Sequence, residues 1–502
     1  MTLLKQLFTL CLCIACLYSC QDKTPNDSLE GNTTVYAQFV EAMKAKGLAT
    51  GNILVYEDGE VLFKSSRGLR TTDPIDSLDL NSQFRLASVS KQFTGMAIMK
   101  LKAAGKLDYD QEVHTILTDF PYTSITVRQL LHHTSGLTDY ERIIDRHFVK
   151  ADSTKQYILG NEAILDLFYR VNPKLDFQPG AQWEYSNTGY IVLASIVEKL
   201  SGQHFRTFLK EHITDPIGMT NTVLYKYQVD ADPNMPHRVF GYRKALNQTD
   251  LVSNDYNIVN DVRGDGGIYS TLDDLFKWNM ALSNHSIIPK AYLDEAWTSG
   301  QTNDGEYTGY GFGWFLDYNP GEPRVLSHSG GWVGFVTYLQ NDVDAKSGFV
   351  LLTNDSGENA NTILEALESI RAKGTYQKPR TSVYKTMAKH IYKGDTQKAL
   401  SWYHEVKADT IAYRVSENDI NQLGYLLLND DKVDAATAIF QLNKTEHPTS
   451  ANVYDSYGDA LLRQGDSIDA LTNFKRCFEM DASLEYAKDK AEALEKALSK
   501  HN

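Results

Sequence analysis

Residues 88–105 read Ser88-Val-Ser-Lys-Gln-Phe-Thr-Gly-Met-Ala-Ile-Met-Lys-Leu-Lys-Ala-Ala-Gly105. Val89, Phe93, Met96, Ala97, Leu101 and Ala104 fall at helical spacing, so the run predicts an amphipathic helix that turns one face into a core and stops at Gly105. Ser88 and Lys91 stand three positions apart at its start, on one helix face, which lets the lysine amine reach the serine hydroxyl. On the N-terminal side, Asn52-Ile-Leu-Val-Tyr-Glu57 and Glu60-Val-Leu-Phe-Lys64 flank Asp58-Gly59, the pattern of a β-hairpin. On the C-terminal side, 190–200 reads as a second helix closed by Gly202, and 311–316, 324–328, 334–339 and 348–353 read as strands. A helix over 362–373 closes the unit. Strands at both ends with helices between them predict an α/β body in which an antiparallel sheet is flanked by helices.

The rest of the chain differs in character. After Lys378-Pro-Arg380 the text becomes rich in Ala, Leu and Lys with almost no strand signal, so a second, all-helical domain is expected over 385–502. Within it Leu423-Gly424, Leu427, Ala436 and Phe440 recur 34 residues later as Tyr457-Gly458, Leu461, Ala470 and Phe474. That period, with small residues where two helices cross, resembles tetratricopeptide repeats. Repeats of this kind are interaction scaffolds, and the resemblance implies a protein partner for this domain.

With 502 residues, 42% hydrophobic and 23% charged, the composition is that of an ordinary globular protein with room for several domains. The net charge of −14 runs against nucleic-acid binding, which needs a basic face. Four of the five cysteines, Cys11, Cys13, Cys16 and Cys20, lie in the first 20 residues, which excludes a disulfide framework in the body. The opening carries one Lys and then a short apolar run, which reads as an export signal over 1–19. Its end, Leu17-Tyr-Ser-Cys20, resembles a bacterial lipobox, which implies a lipid on Cys20, a cell-envelope location and membrane contact through that anchor. Residues 20–34 are polar and read as a tether, and 35–375 as the α/β domain.

Absences narrow the chemistry. The chain has no His-Glu-x-x-His, no Cys-x-x-Cys pair in the body, no Walker-type phosphate loop and no Gly-x-Ser-x-Gly elbow. His132-His133 lacks a third ligand at metal-binding spacing, so no metal and no cofactor are expected. Three segments remain. Ser88-Val-Ser-Lys91 offers a hydroxyl beside an amine at a helix start, where free N–H groups favour developing negative charge. Tyr185-Ser-Asn187 offers a phenol and an amide two residues apart in a polar loop leading into a helix. His328-Ser-Gly330-Gly331 ends a strand with paired glycines that let a substrate backbone lie close.

Together and in this order, Ser-x-x-Lys, Tyr-x-Asn and His-x-Gly resemble the motifs of the penicillin-recognising serine hydrolases: class C β-lactamases, D-alanyl-D-alanine carboxypeptidases, D-aminopeptidases and related esterases. Leu130-Leu-His-His-Thr-Ser-Gly-Leu137 and Gly266-Gly-Ile-Tyr-Ser-Thr-Leu272 are phrases of the same family, and the resemblance covers about residues 35–370. It implies an enzyme that acylates Ser88, with Lys91 and Tyr185 sharing the proton transfers. Asn187 would hold a substrate amide, and the backbone N–H groups of Ser88 and Gly331 would bind the oxyanion. The implied substrate is a D-amino-acid peptide, a small ester or a β-lactam. His328 stands where most β-lactamases have lysine, which leans toward the carboxypeptidase- and aminopeptidase-like members. A histidine facing the substrate would attract a carboxylate only while protonated, below about 6.5. The competing expectation is a catalytically silent peptide-binding protein that uses its repeats; the intact Ser88, Lys91 and Tyr185 speak against it.

Overall fold

The computed structural model describes residues 25–150, 152, 155–227, 235–317 and 324–499. The expected leader, Cys20 and the start of the expected tether lie outside them. A six-stranded antiparallel sheet organises the first domain, in the spatial order Glu60–Arg67, Gly51–Glu57, Ser347–Thr353, Phe335–Asp342, Val325–Trp332, Phe315–Leu316. The hairpin about Asp58-Gly59 forms one edge, and the strand carrying His328 lies near the other.

Alternation explains why this sheet is sandwiched. Ile53, Val55, Phe349 and Leu351 point to one face and pack with Tyr36, Phe39, Ile363 and Leu367 of the helices Pro25–Ala45 and Ala360–Lys373. Leu54, Tyr56, Val350 and Leu352, one residue out of phase, join the larger core on the other face, built around the helices Lys91–Ala103, Asn187–Ser201 and Leu272–Ser283. These two neighbouring strands therefore carry unbroken apolar runs, Ile53 to Tyr56 and Phe349 to Leu352. Each fully buried aliphatic or aromatic side chain contributes about 1.5–3 kcal/mol. Residues 25–34, expected as tether, are helical instead, because the helix that buries Tyr36, Phe39 and Met43 begins at Pro25, a residue tolerated in a first turn. The expected strand 311–316 shrinks to Phe315–Leu316, since Gly313 turns the chain with φ near 105°.

Beyond Thr381 the chain is almost wholly helical, from Val383–Ile391 to Glu485–Ser499. The 34-residue spacing has a steric counterpart there. A Cβ on Gly424 would stand 2.4 Å from the Phe440 ring, and one on Gly458 would stand 2.6 Å from the Phe474 ring. In each pair the missing side chain is what lets the phenylalanine lie across the facing helix.

Candidate active site

Ser88 lies in a short 3-10 turn, Ala87–Ser90, that feeds directly into the helix Lys91–Ala103. The turn is entered through Ala87 at φ 49°, a left-handed conformation that is unfavourable for a residue with a Cβ. Lys91 is fully buried. Its Nζ stands 3.2 Å from Ser88 Oγ, 2.9 Å from Asn187 Oδ1 and 3.0 Å from the Asp265 carbonyl oxygen. Three acceptors thus converge on this amine, and the rings of Tyr185 and Tyr190 stand 4.8 and 5.5 Å away. The expected reach from Lys91 to Ser88 is thus present. Asn187, expected on a substrate amide, uses its carbonyl oxygen to hold the lysine.

The Tyr185 loop is fixed by His133, in the phrase preceding it in the sequence. The His133 carbonyl accepts the Glu184 N–H at 3.0 Å, its Nδ1 accepts the Ser186 N–H at 3.1 Å, and its ring lies 4.4 Å from the Tyr185 ring. Tyr185 is held from the residues on both sides. Ser186 then caps the next helix by accepting the Gly189 N–H, which places Asn187 at its first position. Burial and the nearby Lys91 push the His133 imidazole well below its ordinary range, so the ring is neutral.

His328 departs from expectation. Only 1% exposed, it donates from Nδ1 to the Ser329 carbonyl at 2.6 Å and accepts the Tyr310 hydroxyl at Nε2 at 2.9 Å, with Phe315 packed against it. Burial and then Lys91 push it down to about 3. It is a neutral ring behind Tyr310, unable to attract a carboxylate by titrating near 6.5. The two glycines after it divide the work. A Cβ on Gly330 would lie 2.2 Å from the Leu86 carbonyl oxygen, so that position packs the strand against the start of the Ser88 turn, whereas Gly331 faces open space.

Ser88, Asn187 and Gly331 line one cavity of about 200 Å³ together with Arg85, Tyr140, Glu141, Asp265 and Trp332. Tyr185 meets this group through Lys91, while His328 and Gly330 stand behind it. Arg85, Tyr140, Glu141, Asp265 and the clamping role of His133 were not legible in the sequence. Each sits within a few residues of a quoted motif, but a single acid or arginine has no spacing signal. Asp265 is buried, takes the Tyr140 hydroxyl on Oδ2 at 2.9 Å and is raised by burial. Glu141 is pushed up to about 6 by burial and by Asp139 beside it. Among the described residues, no group of three His, Cys, Asp or Glu side chains is arranged to hold a metal ion.

The Beta-lactamase family model matches residues 36–370, ending before the C-terminal helices. Penicillin-binding protein 4* of Bacillus subtilis (strain 168) is 35% identical over 348 residues, 68% of this chain and 76% of that protein. Among solved structures, a penicillin binding protein from Bacillus halodurans shares the fold with a TM-score of 0.57 at 24% identity, over 66% of this chain and 99% of that one. The D-amino acid amidase from Ochrobactrum anthropi SV3 does so with a TM-score of 0.54 at 22% identity, over 69% and 99%.

Proposed function

Because the chain belongs to the Beta-lactamase family, whose members are serine hydrolases, we propose that it forms an acyl-enzyme on Ser88 and hydrolyses a small amide or ester. The observation that carries this reading is Lys91 Nζ, buried and held between Ser88 Oγ and Asn187 Oδ1 beside the cavity lined by Gly331. Ser88 Oγ attacks the acyl carbon and its proton passes to Lys91, the side chain within hydrogen-bond distance. The oxyanion forms toward the backbone N–H groups of Ser88 and Gly331, donors whose loss costs about a hundredfold or more in rate. Tyr185 delivers a proton to the departing amine or alcohol and regains one from Lys91. Water then gives a proton to the same pair as it attacks the acyl carbon, and Ser88 takes that proton back as the acid leaves. The substrate is a D-amino-acid peptide, a small ester or a β-lactam.

The same proposal places the chain outside the cytoplasm, carried on a lipid at Cys20, with the C-terminal helices as tetratricopeptide-like repeats that contact a protein. No helix among the described residues is long and apolar enough to cross a membrane. A labelled fluorophosphonate or penicillin tests the chemistry, with nitrocefin, p-nitrophenyl esters and D-amino-acid anilides as substrates. Wild type is expected to take the label and turn over at least one of them, and Ser88→Ala to do neither. Equal activity in Ser88→Ala would remove the acyl-enzyme. A folded wild type that takes no label and turns over none would favour a silent binding protein.

A further inference from the structure

Residues 133–139 and 184–188 are joined by one hydrogen bond after another. Besides the bonds from Glu184 and Ser186 to His133, the Ser186 hydroxyl donates to the Leu137 carbonyl at 3.2 Å and the Thr188 hydroxyl to the Thr138 carbonyl at 2.8 Å. Asn187 lies between these anchors, and its own N–H donates to Asp139 Oδ2 at 3.2 Å. The other oxygen of that carboxylate, Oδ1, accepts the Glu141 N–H at 2.9 Å and so caps the helix Tyr140–His147.

Other aspartate caps of this chain do not cross between elements. Asp395 and Asp466 each use Oδ1 to accept a backbone N–H of their own helix. Asp139 Oδ2 reaches instead to the first residue of a second helix, Asn187–Ser201, whose leading N–H has no partner within that helix. A carboxylate set between two helix N-termini is favoured by both dipoles. Both helices lead to Lys91. Asn187 Oδ1 accepts Lys91 Nζ at 2.9 Å, while the Tyr140 hydroxyl donates to Asp265, whose carbonyl oxygen stands 3.0 Å from the same Nζ. Asp139 itself stands outside the cavity lining.

We infer that Asp139 is a positioning residue for the hydrolytic step: its two oxygens tie together the two helix starts that hold Lys91 against Ser88. The inference rests on the serine-hydrolase reading above and deepens it by naming what aims Lys91. Both oxygens are needed. Serine caps a helix about as well as aspartate, but its one short hydroxyl leaves the Asn187 N–H without its acceptor. Asparagine keeps one oxygen and turns an NH2 donor toward a backbone N–H that needs an acceptor.

The test uses the full chain, with hydrolysis of p-nitrophenyl acetate and the rate of Ser88 labelling by a fluorophosphonate as readouts. Asp139→Ser is expected to lower kcat and the labelling rate about tenfold or more, since a displacement of about 1 Å at a reacting group can cost a hundredfold. KM should change by less than about threefold, because the loss falls on the reacting geometry and not on binding. The denaturant midpoint should stay near that of wild type, since the cap of the helix Tyr140–His147 is kept. Acting through Asn187, the substitution should be masked once that side chain is gone: Asp139→Ser/Asn187→Ala is expected to be slower than Asn187→Ala by no more than about twofold. A wild-type rate in Asp139→Ser, a loss carried by KM alone, or losses that multiply in the double variant each overturn the inference. Should Asp139→Ser fail to fold, Asp139→Asn decides by the same measures, with the same loss expected and a wild-type rate overturning it. If wild type takes the label and Asp139→Ser matches its rate, Asp139 alone is misassigned. If wild type takes no label and hydrolyses no ester, the hydrolase reading fails and this inference with it.

Discussion

Gly424 lies against Phe440 and Gly458 against Phe474, so in the C-terminal helices each glycine meets a partner 16 residues along the chain. In the cleft, Lys91 meets Asn187 across 96 residues and the Asp265 carbonyl across 174. The helical region is thus assembled from neighbours, each pair repeating the last, while the cleft closes only when distant segments converge. Loss of one contact should therefore spread differently in the two. Helix-crossing pairs that share no atoms should fail separately, and members of one proton-transfer unit should fail together.

Catalysis offers the largest contrast. Lys91→Ala and Tyr185→Phe are each expected to lower kcat about a hundredfold or more, the usual worth of a positioned acid or base. Lys91→Ala/Tyr185→Phe should lose little more than the worse single variant if the two form the proposed proton relay, Lys91 Nζ standing 4.8 Å from the Tyr185 ring. Steady-state kinetics on one ester checks this. Losses that multiply would show two independent groups and break the picture of a single unit.

His328 tests how the fold sets a charge. Its imidazole is held neutral down to about 3, whereas in the unfolded chain it takes a proton at about 6.5. Below 6.5 the unfolded state binds this proton and the folded state does not, so the stability it brings is present above 6.5 and is lost as the pH falls toward 3. His328→Gln removes the term. The stability advantage of wild type over that variant is expected to shrink by about 1.4 kcal/mol per pH unit between pH 6 and 4, read by denaturant melts at fixed pH. A constant gap would mean that the ring is solvated and protonates in the native state.

Lys91 and His328 mark what was readable in the chain and what was not. The helix-flanked sheet was legible from the Asp-Gly hairpin and from strand runs at both ends with helical runs between, and Ser88 with Lys91 from helical spacing, because these are local rules. His328 was assigned a substrate-facing, titrating role, since its motif says nothing of Tyr310 and Phe315 closing over it. Arg85 and Asp265 escaped notice for the same reason. An arginine in text is usually solvated, and only the approach of Trp332, Tyr225 and Asn260 from elsewhere in the chain makes this one buried. Gly424 and Gly458 were visible because their partners repeat with them.

That visibility can be tested by substitution. Gly424→Ala and Gly458→Ala place a methyl within 2.4 and 2.6 Å of a phenylalanine ring, so each is expected to cost about 1–3 kcal/mol of the helical region's stability by overpacking. Because the two glycines touch different rings, the costs should add, measured as the shift in helix melting by circular dichroism. Labelling of Ser88 should be unchanged in both, since no residue of the cavity lies in these helices. A loss of label would tie the C-terminal helices to the cleft and break the contrast between the regions.

The smallest expected effect concerns the turn that presents Ser88. Ala87 holds a φ of 49°, which for a residue with a Cβ costs about 1–2 kcal/mol relative to right-handed backbone. Glycine adopts that conformation freely, but it gives up more unfolded-state entropy, about 0.5–1 kcal/mol. Ala87→Gly also removes a methyl, to which a Cβ on Gly330 would stand only 3.2 Å, so that a small space opens beside the strand. The terms leave a net stabilisation of no more than about 1 kcal/mol, seen as a modest rise in the denaturant midpoint. Activity should hold within about threefold, because the distance from Ser88 Oγ to Lys91 Nζ is set by their spacing in the turn and helix and by the acceptors around Lys91, not by the Ala87 methyl. A destabilised variant would show that the methyl's packing outweighs the backbone strain. A stable variant with a much slower acylation step would show instead that the strained entry to the turn is itself part of how Ser88 is aimed.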